Sequence, residues 1–151
     1  MLIIDSREKQ WSHIQQYFDK HNIEYEVRKL ETGDYFNTDN PNTVIDRKAN
    51  LQEVCANLSS GKENRVRFVK ECQRAFRENK RFIVLIEEGK YTSVRDVSLN
   101  WNSKYSGHTG RWLADAMFNI FCAYKVEWMF CDKKDTAEKI LELLRYDNRG
   151  N

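Results

Sequence analysis

Apolar positions recur with period two in some stretches of this chain and every three or four residues in others, and the two periods mark strands and helices. Tyr25 to Lys29 alternates apolar and charged side chains, and Gly33-Asp34 supplies a turn into Tyr35-Phe36, which predicts a hairpin. The polar stretch Asn37 to Asn42 holds the only proline, after which the β-branched run Thr43-Val44-Ile45 re-enters the sheet. Phe82 to Ile86 is continuously apolar, as expected of a central strand covered on both faces. The predicted series is strand 2–5, helix 10–21, strand 24–30, strand 33–37, strand 43–48, helix 50–59, helix 64–79, strand 82–87, helix 110–124, strand 126–131 and helix 134–146. The last helix has Asp135 and Thr136 as capping candidates and should bury Ala137, Ile140, Leu141 and Leu144. Strands alternating with helices after an antiparallel insertion predict an α/β fold, a three-layer α/β/α sandwich around a mixed sheet.

Composition bounds the class. With 151 residues and 40% hydrophobic content, residues 1–151 are expected to form one domain able to bury a core. No apolar run approaches the roughly 20 residues that cross a bilayer, and Leu2-Ile3-Ile4-Asp5 follows the start with no leader pattern. A soluble, cytoplasmic protein with no membrane partner is the expectation. Cys55, Cys72, Cys122 and Cys131 lie far apart with no C-x-x-C, which argues against zinc and against disulfides. Cys72 and Cys122 fall on apolar helix positions and read as small core residues.

The net charge of +2 is small, but its distribution is uneven. From Lys62 to Arg81, eight basic residues face three acidic ones, a local excess of +5. On a helix, Arg67, Lys70, Arg74, Arg77 and Arg81 form one stripe opposite Val69, Cys72 and Phe76. A phosphate backbone would relieve the mutual repulsion of that ridge; the other reading is a solvated face partly neutralised by Glu71 and Glu78. Trp101 to Trp112 is a glycine-broken polar loop carrying Lys104, His108 and Arg111. It reads either as a surface that stacks on bases and holds phosphates, or as a plain loop with both tryptophans in the core and Thr109 capping the next helix.

Asp34 and Asp46-Arg47-Lys48 carry the chemistry. Strand alternation puts Asp46 and Lys48 on one face and Arg47 on the other. A carboxylate from each of two neighbouring strands can chelate Mg²⁺ or Mn²⁺, hard cations that prefer oxygen. Lys48 can then orient a water or offset charge building on a phosphate, the arrangement of metal-dependent phosphodiester hydrolysis. The same residues also fit ordinary solvated strand charges, since an acid-x-Lys arises easily in a charged chain.

Ile3-Ile4-Asp5-Ser6-Arg7-Glu8, Leu30-Glu31-Thr32-Gly33-Asp34-Tyr35 and Val44-Ile45-Asp46-Arg47-Lys48 resemble the three signature blocks of the XPF-type nuclease domain. Arg67-Phe68 with Glu71 and Arg74-Ala75, Ile83 to Glu87, and Ser106 to Thr109 with the helix after it are similar to further parts of that family, especially its stand-alone phage and bacterial versions. The resemblance covers essentially the whole chain and implies a restriction-endonuclease-like sandwich that cuts branched, flapped or single-strand/double-strand junction DNA in a bacterial or phage-infected cell. It implies Asp34, Asp46, Asp5 and a helix-start acid as metal ligands. Asp46 stands where the family usually has Glu, and the last acid falls either on Gln52, an amide, or on Glu53, which the spacing of Val54 and Leu58 favours. Lys48 would position the nucleophile. Arg7 would contact the scissile or adjacent phosphates, and Arg47 too if the strand end twists it toward the groove against strict alternation, with Arg65, Arg67, Lys70, Arg74, Lys104 and Arg111 holding flanking DNA. The helix-hairpin-helix pair of many relatives is not expected before Asn151, which leaves branch selectivity open. Homodimerisation through the final helices is a further expectation. The rival reading is an inactive module that keeps the nuclease scaffold for DNA binding or interaction alone.

Overall fold

A computed structural model of the chain describes every residue except 60, 62 and 148–151. Lys62, counted above in the basic segment, therefore lies outside the described residues. The elements run β1 (Leu2–Asp5), α1 (Ser12–Lys20), β2 (Tyr25–Arg28), β3 (Tyr35–Asn37), β4 (Thr43–Lys48), α2 (Leu51–Leu58), α3 (Glu63–Arg77), β5 (Arg81–Ile86), α4 (Val94–Asn100), α5 (Gly110–Tyr124), β6 (Glu127–Phe130) and α6 (Thr136–Leu143), the last preceded by a short 3-10 turn. Six strands form one mixed sheet in the order β2-β1-β3-β4-β5-β6. β3 runs antiparallel to β1 and to β4, and the other neighbouring pairs are parallel.

The period-two pattern sorts the core into two layers. Val44, Phe82, Val84 and Ile86 point to one side, into a cluster built with Leu51, Phe68, Val97, Trp101 and Leu113 from α2 to α5. Ile45, Ile83 and Leu85 point to the other, where Ile14 and Phe18 of α1 and Ala137 and Ile140 of α6 cover them. Helices therefore cover both faces, as the run Phe82 to Ile86 requires, and the α/β/α sandwich is the fold observed.

Four expectations are corrected. β2 and β3 are not a hairpin, because β1 lies between them and pairs with both. The connection over 29–34 crosses the end of β1, and its turn is set by Gly33, whose φ is +73°. The short helix α4 was not anticipated; Ser93 caps it by accepting from the Asp96 N–H at 3.1 Å. Helix α3 ends at Arg77, so Arg81 leaves the basic stripe, opens β5 and binds Glu127 through two bonds of 2.6 and 2.9 Å. The inner face of α3 is Phe68, Cys72 and Ala75, with Phe76 exposed, and Cys122 is also exposed. Among the described residues no helix is long and apolar enough to cross a membrane. α6 spends its apolar face on the sheet, and the exposed aromatics Phe118 and Phe121 belong to α5.

Candidate nuclease centre

Asp5 closes β1, Asp46 and Lys48 close β4, and Asp34 immediately precedes the antiparallel β3. All four therefore arrive at one end of the sheet, at a cavity of about 280 Å³ that Arg7 and Glu71 also line. Asp34 accepts the Arg47 backbone N–H at 2.8 Å through Oδ2, so the ladder between β3 and β4 continues through a carboxylate instead of a peptide oxygen. The Lys48 ammonium stands 3.1 Å from Asp46 Oδ2 and over the Phe68 ring.

The electrostatics are those of an acid-rich recess. Burial, then the charges of Asp46 and Glu8, hold the Asp34 carboxyl well above the usual carboxylate range. Burial and Asp46 likewise push the Glu71 carboxyl up to about 7. Lys48 moves the opposite way for its class: burial works against its charge, yet Asp46 and Glu53 hold the proton on more firmly than in water. Asp46 is only 6% exposed, and its Oδ2 accepts no hydrogen bond. The nearby Lys48 ammonium satisfies that oxygen as a charge, by distance, without aligning an N–H to it.

The other expected ligands are held elsewhere. The Asp5 carboxylate takes Arg7 Nε at 3.0 Å and the Leu30 N–H at 2.9 Å, making it a brace between β1 and the crossover. Glu53 is exposed and closes a capping arrangement, accepting the Ala49 N–H at 2.9 Å while its own N–H goes to Asn50 at 2.8 Å. It borders a recess beside Lys48 and Asp46. Gln52 faces away, taking the Ser103 hydroxyl at 3.1 Å and the Lys104 N–H at 3.2 Å and so anchoring the loop before α5. Among the described residues no group of three or more His, Cys, Asp or Glu side chains is arranged to hold a metal.

Arg47 does not line the cavity of Asp5, Asp46 and Glu71, although it borders the neighbouring recess with Glu8, Asp34, Asp46 and Lys48. Its guanidinium is buried in a network on the opposite side, donating to Glu8 at 3.0 Å, to Lys9 O at 2.6 Å and to Glu87. Glu87 also receives the Thr136 hydroxyl at 2.6 Å and lies 2.6 Å from His13 Nε2. It is therefore a buried hub. Burial would raise its pKa, but bonds from Thr136 and His13, with the charge of Arg47, bring it below the carboxylate range.

The basic residues divide. Arg7 and Arg67 border the cavity, and Lys70 is exposed one turn along α3. Arg65 turns away to Leu58 O at 2.6 Å, and Arg74 is tied to Glu31 O and to Thr32 at 3.3 Å. Lys104 and Arg111 are exposed on the loop and the first turn of α5. Trp101 is buried, Thr109 caps α5 by accepting the Trp112 N–H at 3.2 Å, and His108 stacks on Trp112 at 3.7 Å. Sequence reasoning gave Glu71 a place in the family-like helix and in the partial neutralisation of the basic stripe, but no place at the cavity it lines. Its signal was present: it is spaced three from Phe68 and four from Ala75, so it shares their inward side.

Comparison with known proteins places these features in a lineage. The ERCC4 domain model matches residues 4–143. XPF from Aeropyrum pernix superposes with a TM-score of 0.70 at 21% identity, over 99% of this chain and 65% of that one. The structure of XPF from Aeropyrum pernix in complex with DNA gives 0.65 at 23% identity, over 95% of this chain and 62% of that one. At these identities the likeness is one of fold, and the chain spans about two thirds of the length of either structure. No curated protein matches the chain.

Proposed function

This chain belongs to the ERCC4 domain family, and from that premise we propose that it is a divalent-metal-dependent endonuclease. It hydrolyses phosphodiester bonds in branched or flapped DNA or at strand junctions, in the cytoplasm of a bacterial or phage-infected cell. The observation that carries this reading is the convergence of Asp34, Asp46 and the Lys48 ammonium at one open cavity. A DNA complex of a protein with the same fold supports the choice of partner.

The donor set fits Mg²⁺ or Mn²⁺. Asp34 and Asp46 present hard carboxylate oxygens at one cavity, and the buried Asp46 Oδ2 accepts no hydrogen bond. Asp34 and Asp46 would hold the ion, with Glu53 and Asp5 close enough in the fold to contribute through water. When bound, it supplies Lewis-acid polarisation of the phosphoryl oxygen and a lowered pKa for site water. Lys48 keeps its proton, so it acts as a donor that orients the nucleophile and offsets charge on the phosphate. Arg7, anchored to Asp5 and Leu30 O and still largely exposed, grips the phosphate at the rim. Arg67 and Lys70 track the flanking backbone, with Lys104 and Arg111 as more distant contacts, so binding weakens steeply with salt. Arg47 has no part in this contact, since its donors serve the far face.

The test is incubation of the purified chain with Mn²⁺ and labelled flap, fork, single-stranded and duplex DNA, with a chelator control and the Asp34→Asn and Asp46→Asn variants. Metal-dependent cleavage lost in both variants is expected. Salt-sensitive binding with no cleavage in any metal would instead establish the inactive-module reading.

A further inference from the structure

The turn that carries Asp34 has no slack. Gly33 sits at φ +73°, and a Cβ there would lie 2.5 Å from Val44 Cγ2 and 2.8 Å from the Ile45 carbonyl oxygen. On the sheet side, the Asp34 N–H donates to Ile45 O at 2.7 Å, and its carbonyl accepts the Asp5 N–H at 2.8 Å. On the helix side the Thr32-Gly33 peptide is met by one group only among the described bonds: Glu71 Oε1 accepts the Gly33 N–H at 2.5 Å. One turn further along α3, Arg74 donates to Glu31 O and to Thr32 Oγ1. Helix α3 thus grips residues 31–33 from outside while β1 and β4 hold Asp34 from within.

We infer that Glu71 is a positioning residue for Asp34, fixing the Thr32-Gly33 peptide that leads into Asp34 so that the Asp34 carboxylate faces Asp46 at the cavity. The inference rests on the nuclease reading for its catalytic consequence, but the clamp itself rests on the bond to Gly33. Asp34 is the one member of the centre outside a regular strand, so it is the one whose aim needs a second support. What the peptide requires is an acceptor oxygen at that point, and a side-chain amide supplies one as well as a carboxylate does. The negative charge of Glu71 is not what the turn needs. Arg74 has the same task at Glu31 and Thr32, which explains why this arginine is withdrawn from the basic face.

The test compares Glu71→Ala and Glu71→Gln in the full chain by three readings: the Gly33 amide in proton-nitrogen NMR, Mn²⁺ affinity, and the split between kcat and KM for flap DNA. In Glu71→Ala the Gly33 amide proton moves upfield and exchanges faster, and Mn²⁺ affinity and kcat each fall about tenfold, as expected for one charge-assisted hydrogen bond. The KM for DNA stays within about twofold, because the phosphate contacts are untouched. Glu71→Gln restores the amide signal, the affinity and kcat to within about threefold of the parent, as expected where an acceptor replaces an acceptor. An unchanged Gly33 amide in Glu71→Ala overturns the inference. So does a Glu71→Gln variant as impaired as Glu71→Ala, since charge and not the bond would then be at work. If the parent chain neither binds Mn²⁺ nor cuts DNA while the Gly33 amide responds as described, the clamp stands and the nuclease reading falls.

Discussion

The two faces of β4 at its C-terminal end carry similar numbers of charges and treat them in opposite ways. On the face toward α1 and α6, Arg47 is bound by Glu8, Glu87 and Lys9 O, and Glu87 is bound in turn by His13 and Thr136. Each of these buried charges has a partner of opposite sign or a hydrogen-bonding neutral one, which makes the network rigid. On the face toward α3, Asp34, Asp46 and Glu71 meet one ammonium, and the excess shows as carboxyls that resist ionising and an oxygen without a hydrogen bond. On the proposed nuclease reading, a divalent cation would supply the balancing positive charge. One face holds the strand end still so that the other can keep its acids apart from water and close together.

The contrast is open to attack, most strongly at Lys48. Lys48→Ala should lower cleavage by about 10²–10³-fold while DNA affinity changes little, because its ammonium serves the reaction and not the grip. Equal losses in rate and binding, measured by single-turnover cleavage and filter binding, would remove it from the catalytic role. The opposite face should answer in stability. Glu87→Ala takes one of two carboxylate partners from Arg47 and the acceptor from the Thr136 hydroxyl, and should cost about 2 kcal/mol in urea denaturation. A loss well below that would mean the network is ornament. Asp46→Asn should do the reverse in chelator, stabilising the fold by about 1 kcal/mol while ending cleavage, since it relieves crowding among acids. A destabilised Asp46→Asn would deny that the acids oppose one another.

Acid should act on the two faces with opposite sign. Glu71 takes up its proton near 7 in the fold but near 4.5 when unfolded, so its ionisation penalises the native state above that window and the penalty lifts as pH falls from about 7 to 4.5. Glu87 is held below its ordinary value, so its contribution is whole above about 4.5 and is lost as pH falls further. Urea midpoints in chelator from pH 8 to 3 should therefore rise before they fall. Glu71→Gln should flatten the rise, and Glu87→Gln the fall. The smallest effect belongs to the rim: neutralising Arg67 or Lys70 should weaken DNA binding a few-fold and reduce the salt slope by about 1 each. A loss of cleavage in the Lys70 variant at saturating DNA would place it nearer the chemistry than its exposed position suggests.

Much of this was legible because it is local. Strands 2–5 and 43–48 and helix 110–124 stand where the pattern predicted, since side-chain period alone decides them. The same alternation separated Asp46 and Lys48 from Arg47 before any coordinates. What misled was also local: Tyr25 to Phe36 has every mark of a hairpin, but β1 is buried along its whole length and pairs with a neighbour on each edge. The basic stripe was read through Arg81 because a helical count does not announce that the helix stops at Arg77. Short α4 offered only Ser93 and Asp96 as a cap signal, with too few apolar positions to show a period.

By itself, then, the order of residues determined which side chains share a face, which strands run through the core and which acids stand beside the lysine, because these follow from backbone geometry over a few residues. Tertiary structure alone decided the partners. Gly33 meets Glu71 38 positions away, Arg47 meets Glu87 40 away and Glu87 meets Thr136 49 away. Whether a charge serves a reaction or a core depends on what lies within about 3 Å of it, the reach of a hydrogen bond, and packing sets that distance where sequence spacing does not.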